Sequence, residues 1–195
     1  MKMTEWDALI EKEYQLELNT KSDINEHVHD LYMLASDCTH VTEFGSRFGA
    51  STKSFLKAKV TLRAYDLEIH KPLMDIFNIA RKVGKDVEYN KGSTLSILIE
   101  PTDLLFIDTW HSQQQLREEL KLHGNAAQKY LAFHDTHTYG VRDESMQWAE
   151  NPDRKAMPNQ GLLPAVIDFV IANPHWRFKK HKTNNNGLTI LERRG

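Results

Sequence analysis

The sequence predicts an α/β protein built on an open, mostly parallel seven-stranded sheet, with helices on both faces and an antiparallel hairpin at its C-terminal end. Three observations carry that prediction. From residue 40 onward, short β-prone runs alternate with amphipathic helical segments, the pattern of successive βαβ units. One run, DLLFID at 103–108, is nearly continuous in apolar residues, as a strand buried on both faces must be. The final stretch, HWRFKKHK, then TNNNG, then LTILERR, reads as two strands around a tight turn.

Residues 1–39 precede this alternation as a helical lead-in, and 40–195 form a single domain. Thr4 is placed to cap a first helix whose Trp6, Leu9, Ile10, Tyr14 and Leu16 recur at helical spacing. Ser22 or Asp23 is placed to cap a second, with Ile24, Val28, Leu31, Tyr32 and Leu34 as its buried stripe. HVTEF (40–44) opens the sheet and runs into GSRFGAS; 51–58 is helical, and KVTLRAYD (59–66) is a strand ending on an acid. Residues 70–83 make an amphipathic helix with Pro72 in its first turn and Gly84 as its stop. DVEYN (86–90) and DLLFID are strands, 112–124 is a helix ending at Gly124, and KYLAFHD (129–135) is the next strand. Residues 139–160 show no periodicity and read as a long loop or lid, before a helix over 161–174 and the closing hairpin.

The chain has 195 residues, 40% of them hydrophobic and 27% charged, which suits one soluble domain with a full core. No apolar run approaches a membrane span, and MKMTEWDALIEKEY carries acids where an export signal needs an apolar centre. A single cysteine, Cys38, excludes an internal disulfide and fits a reducing cytoplasm. A net charge of −2 argues against nucleic acid as a partner. Charge is uneven: 1–40 hold nine acids against three lysines, whereas 176–195 hold six bases against Glu192. That asymmetry allows copies of the chain to pair into a homo-oligomer.

Chemistry is expected at the carboxyl ends of the parallel strands, where such sheets bind ligands. The first strand ends in Glu43-Phe44-Gly45-Ser46-Arg47-Phe48-Gly49. Two glycines four apart allow a tight turn and close approach of a ligand, or serve the backbone alone. Glu43 either bonds polar parts of that ligand or is a solvated strand-end acid. Asp66, about twenty residues after the turn, suits ribose hydroxyls or a helix N-cap. The fourth and fifth strands end as Asp108-Thr109-Trp110-His111 and His134-Asp135-Thr136-His137, so Asp108, His134 and Asp135 meet at one sheet edge. Two carboxylates suit Mg²⁺, and added imidazoles suit Mn²⁺, Fe²⁺ or Zn²⁺. His111 has the chemistry of a general base.

At these residues the chain resembles the class I S-adenosylmethionine-dependent methyltransferases, over about 40–195. It looks most like the branch holding cephalosporin-hydroxylase-like proteins and macrolide-sugar O-methyltransferases, with catechol-type enzymes more distant. EFGSRFGAS resembles the acidic-x-Gly-x-x-x-Gly cofactor motif, FIDTWH and FHDTHT resemble the branch's two strand-end motifs, and the hairpin is similar to the family's last two strands. The resemblance implies a Rossmann-like sheet that binds S-adenosylmethionine. Gly45, Ser46 and Gly49 would follow its methionine and ribose, and Asp66 would hold the ribose, with Glu43 contacting the cofactor directly or through water. Gly92-Ser93 would border adenine, with Trp110 beside it. Asp108 and Asp135 match metal-binding acids, and His111 matches the general base. Where the metal-dependent relatives carry an acid, this chain has His134, which removes a carboxylate and leaves Asp108, His134 and Asp135 for Mg²⁺ or another divalent ion.

The implied function is methyl transfer to a hydroxyl of a small molecule, a sugar among the candidates, with no nucleic-acid or membrane partner. Two other readings accompany it. A nicotinamide-dependent oxidoreductase would use a similar sheet, but the first turn lacks G-x-G-x-x-G spacing. A degenerate, non-catalytic S-adenosylmethionine-binding protein would keep the cofactor site and lose transfer.

Overall fold

The computed structural model describes residues 4–144 and 160–194; most of the expected 139–160 loop, including Trp148, lies outside the described residues. Helix α1 (Glu5–Asn19) starts at Thr4, whose hydroxyl accepts the Asp7 N–H at 3.1 Å while the Asp7 carboxylate accepts the Thr4 N–H at 3.2 Å. Helix α2 (Val28–Ala35) departs from expectation. It is preceded by a 3₁₀ turn, Asn25–His27, and no side chain caps it. Ser22 and Asp23 lie upstream, where the Ser22 N–H bonds the Asn25 side chain at 3.2 Å. The Ser22 hydroxyl, the group a cap would need, instead accepts the Ile24 N–H at 3.4 Å.

The remaining elements alternate as strand and helix: β1 (His40–Phe44), α3 (Ala50–Ala58), β2 (Thr61–Asp66), α4 (Lys71–Lys82), β3 (Val87–Lys91), β4 (Thr102–Ile107), α5 (Gln113–His123), β5 (Ala127–His134), α6 (Leu162–Ala172), β6 (Trp176–Lys182) and β7 (Leu188–Arg193). The seven strands form one sheet in the order β3-β2-β1-β4-β5-β7-β6. Strands β1 to β5 run parallel, and β7 is antiparallel to both β5 and β6.

The run at 103–108 is apolar because its side chains alternate between two cores. Leu104 and Phe106 face the core under α1 to α4, whereas Leu105 and Ile107 face the one under α5 and α6. All four side chains are buried, and truncating one such side chain costs about 2–5 kcal/mol.

The lead-in is fastened by charge as well as by Trp6 and Ile10. Lys53, Lys57 and Lys59 on and after α3 pair with Glu13, Glu17, Glu11 and Asp7 of α1. Lys180 and Lys182 of β6 pair with Asp30 of α2, so part of the acidic–basic asymmetry is satisfied within the chain. The hairpin tip is held from two sides. His27 Nε2 bonds the Asn184 carbonyl at 2.9 Å, and the His137 N–H donates to the Asn186 carbonyl at 2.8 Å.

The strand order reverses between β1 and β4, with Phe44 opposite Ile107 in register. This switch point opens a crevice at the carboxyl ends of both strands.

Candidate active site

Immediately past that point the chain turns at Gly45, at φ +82°, and a Cβ there would lie 2.0 Å from the Asp108 carbonyl oxygen. Only glycine lets the β1 turn pass this close to the end of β4. The passage opens onto a cavity of about 660 Å³. Of the residues named from the sequence, Gly45, Ser46, Asp66, Gly92, Ser93, Asp108, Trp110, His111 and Asp135 line it. Glu43, Gly49 and His134 do not.

Glu43 lies beneath the floor, fully buried, and its carboxylate accepts the Ser51 hydroxyl at 2.5 Å and the Thr52 hydroxyl at 2.7 Å. It thereby ties the end of β1 to the first turn of α3. Burial pushes its carboxyl up to about 8, against the lowering effect of the two hydroxyls. Gly49, at φ +88°, starts α3 and packs where a Cβ would meet Leu73 at 2.6 Å. Its role here is one of backbone and packing. Asp66 ends β2 in the cavity wall, where one oxygen accepts the Arg47 N–H at 2.7 Å and the other the Glu68 N–H at 3.1 Å. Each oxygen keeps lone pairs for further donors, as a ribose-binding acid requires.

The other end of the cavity carries the charge. His111 Nε2 lies 2.8 Å from Asp135 Oδ2 and 3.4 Å from Asp108 Oδ1. Its Nδ1 lies 3.2 Å from Glu144, and its ring stacks on Tyr139 with centroids 4.8 Å apart. His134, buried behind the two aspartates, has Nδ1 3.1 Å from Asp135 Oδ2 and 3.4 Å from Asp108 Oδ1, off the hydrogen-bonding line. Its Nε2 faces the Asn185 carbonyl at 3.2 Å.

Burial alone would lower both imidazoles, but the two aspartates overcome it, by hydrogen bonding and charge at His111 and chiefly by the charge of Asp108 at His134, and raise each to about 10. The reciprocal effect, led by His134 at Asp108 and by His111 at Asp135, holds both carboxylates low despite their burial. Such tightly coupled groups titrate as a unit.

Ligand atoms of Asp108, His111 and Asp135 all lie within 4.8 Å of one another, a donor set of two carboxylates and one imidazole that fits a divalent cation. His134 stands beside this set at ion-pair distance.

Several participants escaped the sequence reading. Glu144 and Tyr139 sit in aperiodic sequence, and only the fold brings them onto His111. Glu17, Ser22, Asp23 and Ile24 of the lead-in also line the cavity, with Asp23 paired to Arg47 at 3.1 Å. On α5, Glu119 is fully buried, and its carboxylate receives Thr94, Thr109 and Gln115. Burial raises this carboxyl too. Two further histidines, His27 and His123, are buried and bond the carbonyls of Asn184 and Thr94.

No protein-family model matches the chain, and no curated protein does. Solved structures match it in fold. The O-methyltransferase TomG of Streptomyces achromogenes, involved in tomaymycin synthesis and solved with S-adenosylmethionine, superposes with a TM-score of 0.61 at 16% identity, over 100% of this chain and 92% of its own. An O-methyltransferase from Bacillus cereus, in complex with S-adenosylhomocysteine, gives 0.60 at 15%, over 100% and 93%. A methyltransferase from Podospora anserina, also bound to S-adenosylhomocysteine, gives 0.59 at 13%, over 98% and 89%. At this identity the likeness speaks to architecture alone, a Rossmann-like sheet that this chain shares with these structures.

Proposed function

We propose that the protein transfers a methyl group from S-adenosylmethionine to a hydroxyl of a small molecule, with a sugar as the acceptor class that its two strand-end motifs favour. The observation that carries this reading is a cavity at the switch point, with Asp66 on one wall and Asp108, His111 and Asp135 at the far end. When bound, the cofactor supplies an electrophilic methyl and a sulfonium leaving group, so the protein must align the acceptor and take its proton.

The chain's own residues divide that work. The Gly45 turn brings backbone to the cofactor's path, and Asp66 offers its remaining lone pairs to the ribose. Asp108 and Asp135 would hold a divalent cation, which would orient the acceptor oxygen and lower its pKa, leaving the His111 imidazole to take the proton. Holding reactants in line contributes roughly 7–11 kcal/mol in the best intramolecular cases. His111 is the base within reach, worth about 10²–10⁴-fold. As it stands between Asp135 and Glu144, it is an imidazolium at neutral pH, and it serves as base only after giving up the proton those carboxylates hold.

Calorimetry with S-adenosylhomocysteine on EDTA-treated protein, then with Mg²⁺ and Mn²⁺, tests the reading. Micromolar binding with a further metal-dependent heat is the expected outcome; no binding in any condition refutes it. His111→Ala should keep cofactor binding and lose transfer across a panel of sugar hydroxyls.

A second reading, cofactor binding without transfer, has its own observation. Both aspartates are already matched by imidazoliums from His111 and His134. It predicts full S-adenosylhomocysteine binding with no transfer to any acceptor, metal or not.

A further inference from the structure

Behind the charged end of the cavity, the tip of the hairpin between β6 and β7 touches two parts of the site that lie far apart in the chain. A carbonyl only accepts, so His134 Nε2 donates to the Asn185 carbonyl, at 3.2 Å. The other ring nitrogen, Nδ1, then faces Asp135 at 3.1 Å and Asp108 at 3.4 Å. The Asn185 side chain reaches the opposite way, donating to the Ser22 carbonyl at 2.8 Å and accepting the Glu26 N–H at 2.9 Å. Ser22, Asp23 and Ile24 are cavity wall. One residue thus grips the imidazole behind the two aspartates with its backbone, and the lead-in wall with its side chain.

The tip does not depend on that grip for its own place. The Asn186 carbonyl accepts the N–H groups of His137 at 2.8 Å and Thr138 at 3.0 Å, and the Asn184 carbonyl accepts His27 Nε2 at 2.9 Å. The His134 side chain, by contrast, turns on a soft ring torsion, so the bond at Nε2 sets where Nδ1 points. We infer that Asn185 is a positioning residue that ties the tilt of His134, and through it the two aspartates, to the placing of the lead-in wall. A ligand seated in the cavity steadies that wall, and the Asn185 tether carries the added order to the charged end. The inference deepens the reading above and rests on it for the ligand used in the test.

Solvent exchange of the imidazole N–H groups, followed by NMR with and without saturating S-adenosylhomocysteine, tests this without any acceptor. In the wild type the ligand should slow exchange at His134 Nε2 by about tenfold. Asn185 sits at φ +45°, a conformation that glycine and aspartate also adopt. Asn185→Gly therefore keeps the backbone and its carbonyl and loses both side-chain bonds. It should speed His134 exchange about tenfold in the free protein and abolish the ligand's effect, while His27 changes by less than about threefold. Asn185→Asp keeps the bond to the Glu26 N–H and should restore part of the ligand's effect. A merely structural Asn185 would speed both imidazoles alike and leave the ligand's slowing of His134 intact, which overturns the inference. So would a wild type whose bound ligand leaves His134 exchange unchanged. Failure of S-adenosylhomocysteine to bind would refute the cofactor reading instead, and the comparison of His134 with His27 in free protein would still decide the tether.

Discussion

Glu43 and Asp108 occupy nearly equivalent places, at the carboxyl ends of adjacent parallel strands, yet their chemistry diverges. Glu43 is sealed beneath the cavity floor with only the Ser51 and Thr52 hydroxyls for company, and its carboxyl rises to about 8. Asp108 exposes about a fifth of its side chain (21%) to the cavity and faces His111 and His134, and its carboxyl falls below the usual range. Burial opposes ionisation in both. What differs is the donor: neutral hydroxyls only soften the desolvation penalty, whereas two imidazoliums reverse it. One acid is a structural clasp between β1 and α3, and the other keeps a charged site assembled.

The sharpest way to break this contrast is Asp108→Asn. It leaves two buried imidazoliums to share Asp135, and removing one partner of a buried ion pair costs about 3–5 kcal/mol. Urea unfolding at pH 7 should show that loss, and NMR titration should show His111 and His134 falling toward the ordinary histidine range. Gly45→Ala attacks the geometry joining the two strand ends. A Cβ 2.0 Å from the Asp108 carbonyl, at φ +82°, forces the turn to move. Strain of this kind costs about 1–3 kcal/mol, and S-adenosylhomocysteine affinity should drop with it.

The pH dependence gives a third test. The imidazoles of His111 and His134 are raised above their ordinary 6.5 to about 10, so the stability they add is complete below pH 6.5. It is lost as pH climbs through about 10. Melting temperatures of metal-free protein should therefore fall over that window, and less steeply in His111→Ala. Glu43 acts in the same direction over a lower range, because its folded form binds a proton that the unfolded form releases near 4.5. Glu43→Gln should flatten the melting curve between pH 4.5 and 8.

The same contrast explains what the sequence could and could not disclose. Element order was legible because strands and helices announce themselves by period, and β4 was legible because both its faces are buried. Asp108, His111, His134 and Asp135 were legible as a group because parallel strands bring their ends to one edge. The direction of each carboxyl's shift was not, since Glu43 and Asp108 read alike as strand-end acids until their donors are known. Glu119 was hidden for a related reason. In QQQLREELKLH an acid looks like part of a solvated face, and only packing against Thr94 and Thr109 turns it inward. The start of α2 was misplaced because Ser22 and Asp23 have the chemistry of caps, whereas the Ser22 hydroxyl accepts the Ile24 N–H and the Asp23 carboxylate pairs with Arg47.

The hairpin tip between β6 and β7 has a consequence for how the molecule comes together. Its carbonyls at Asn184 and Asn185 meet His27 and His134, and the Asn185 side chain bonds the backbone of Ser22 and Glu26. The contacts to the lead-in span 157 to 163 residues of chain. Contacts so distant in sequence carry the largest loop-closure cost and tend to be slow to form. A refolding chain should thus regain its helical signal and most of its sheet first. The backing of His134, and the lead-in's wall of the cavity, arrive last. Recovery of ligand binding should lag behind recovery of secondary structure, with the delay set by the hairpin tip and lengthened by substitutions there.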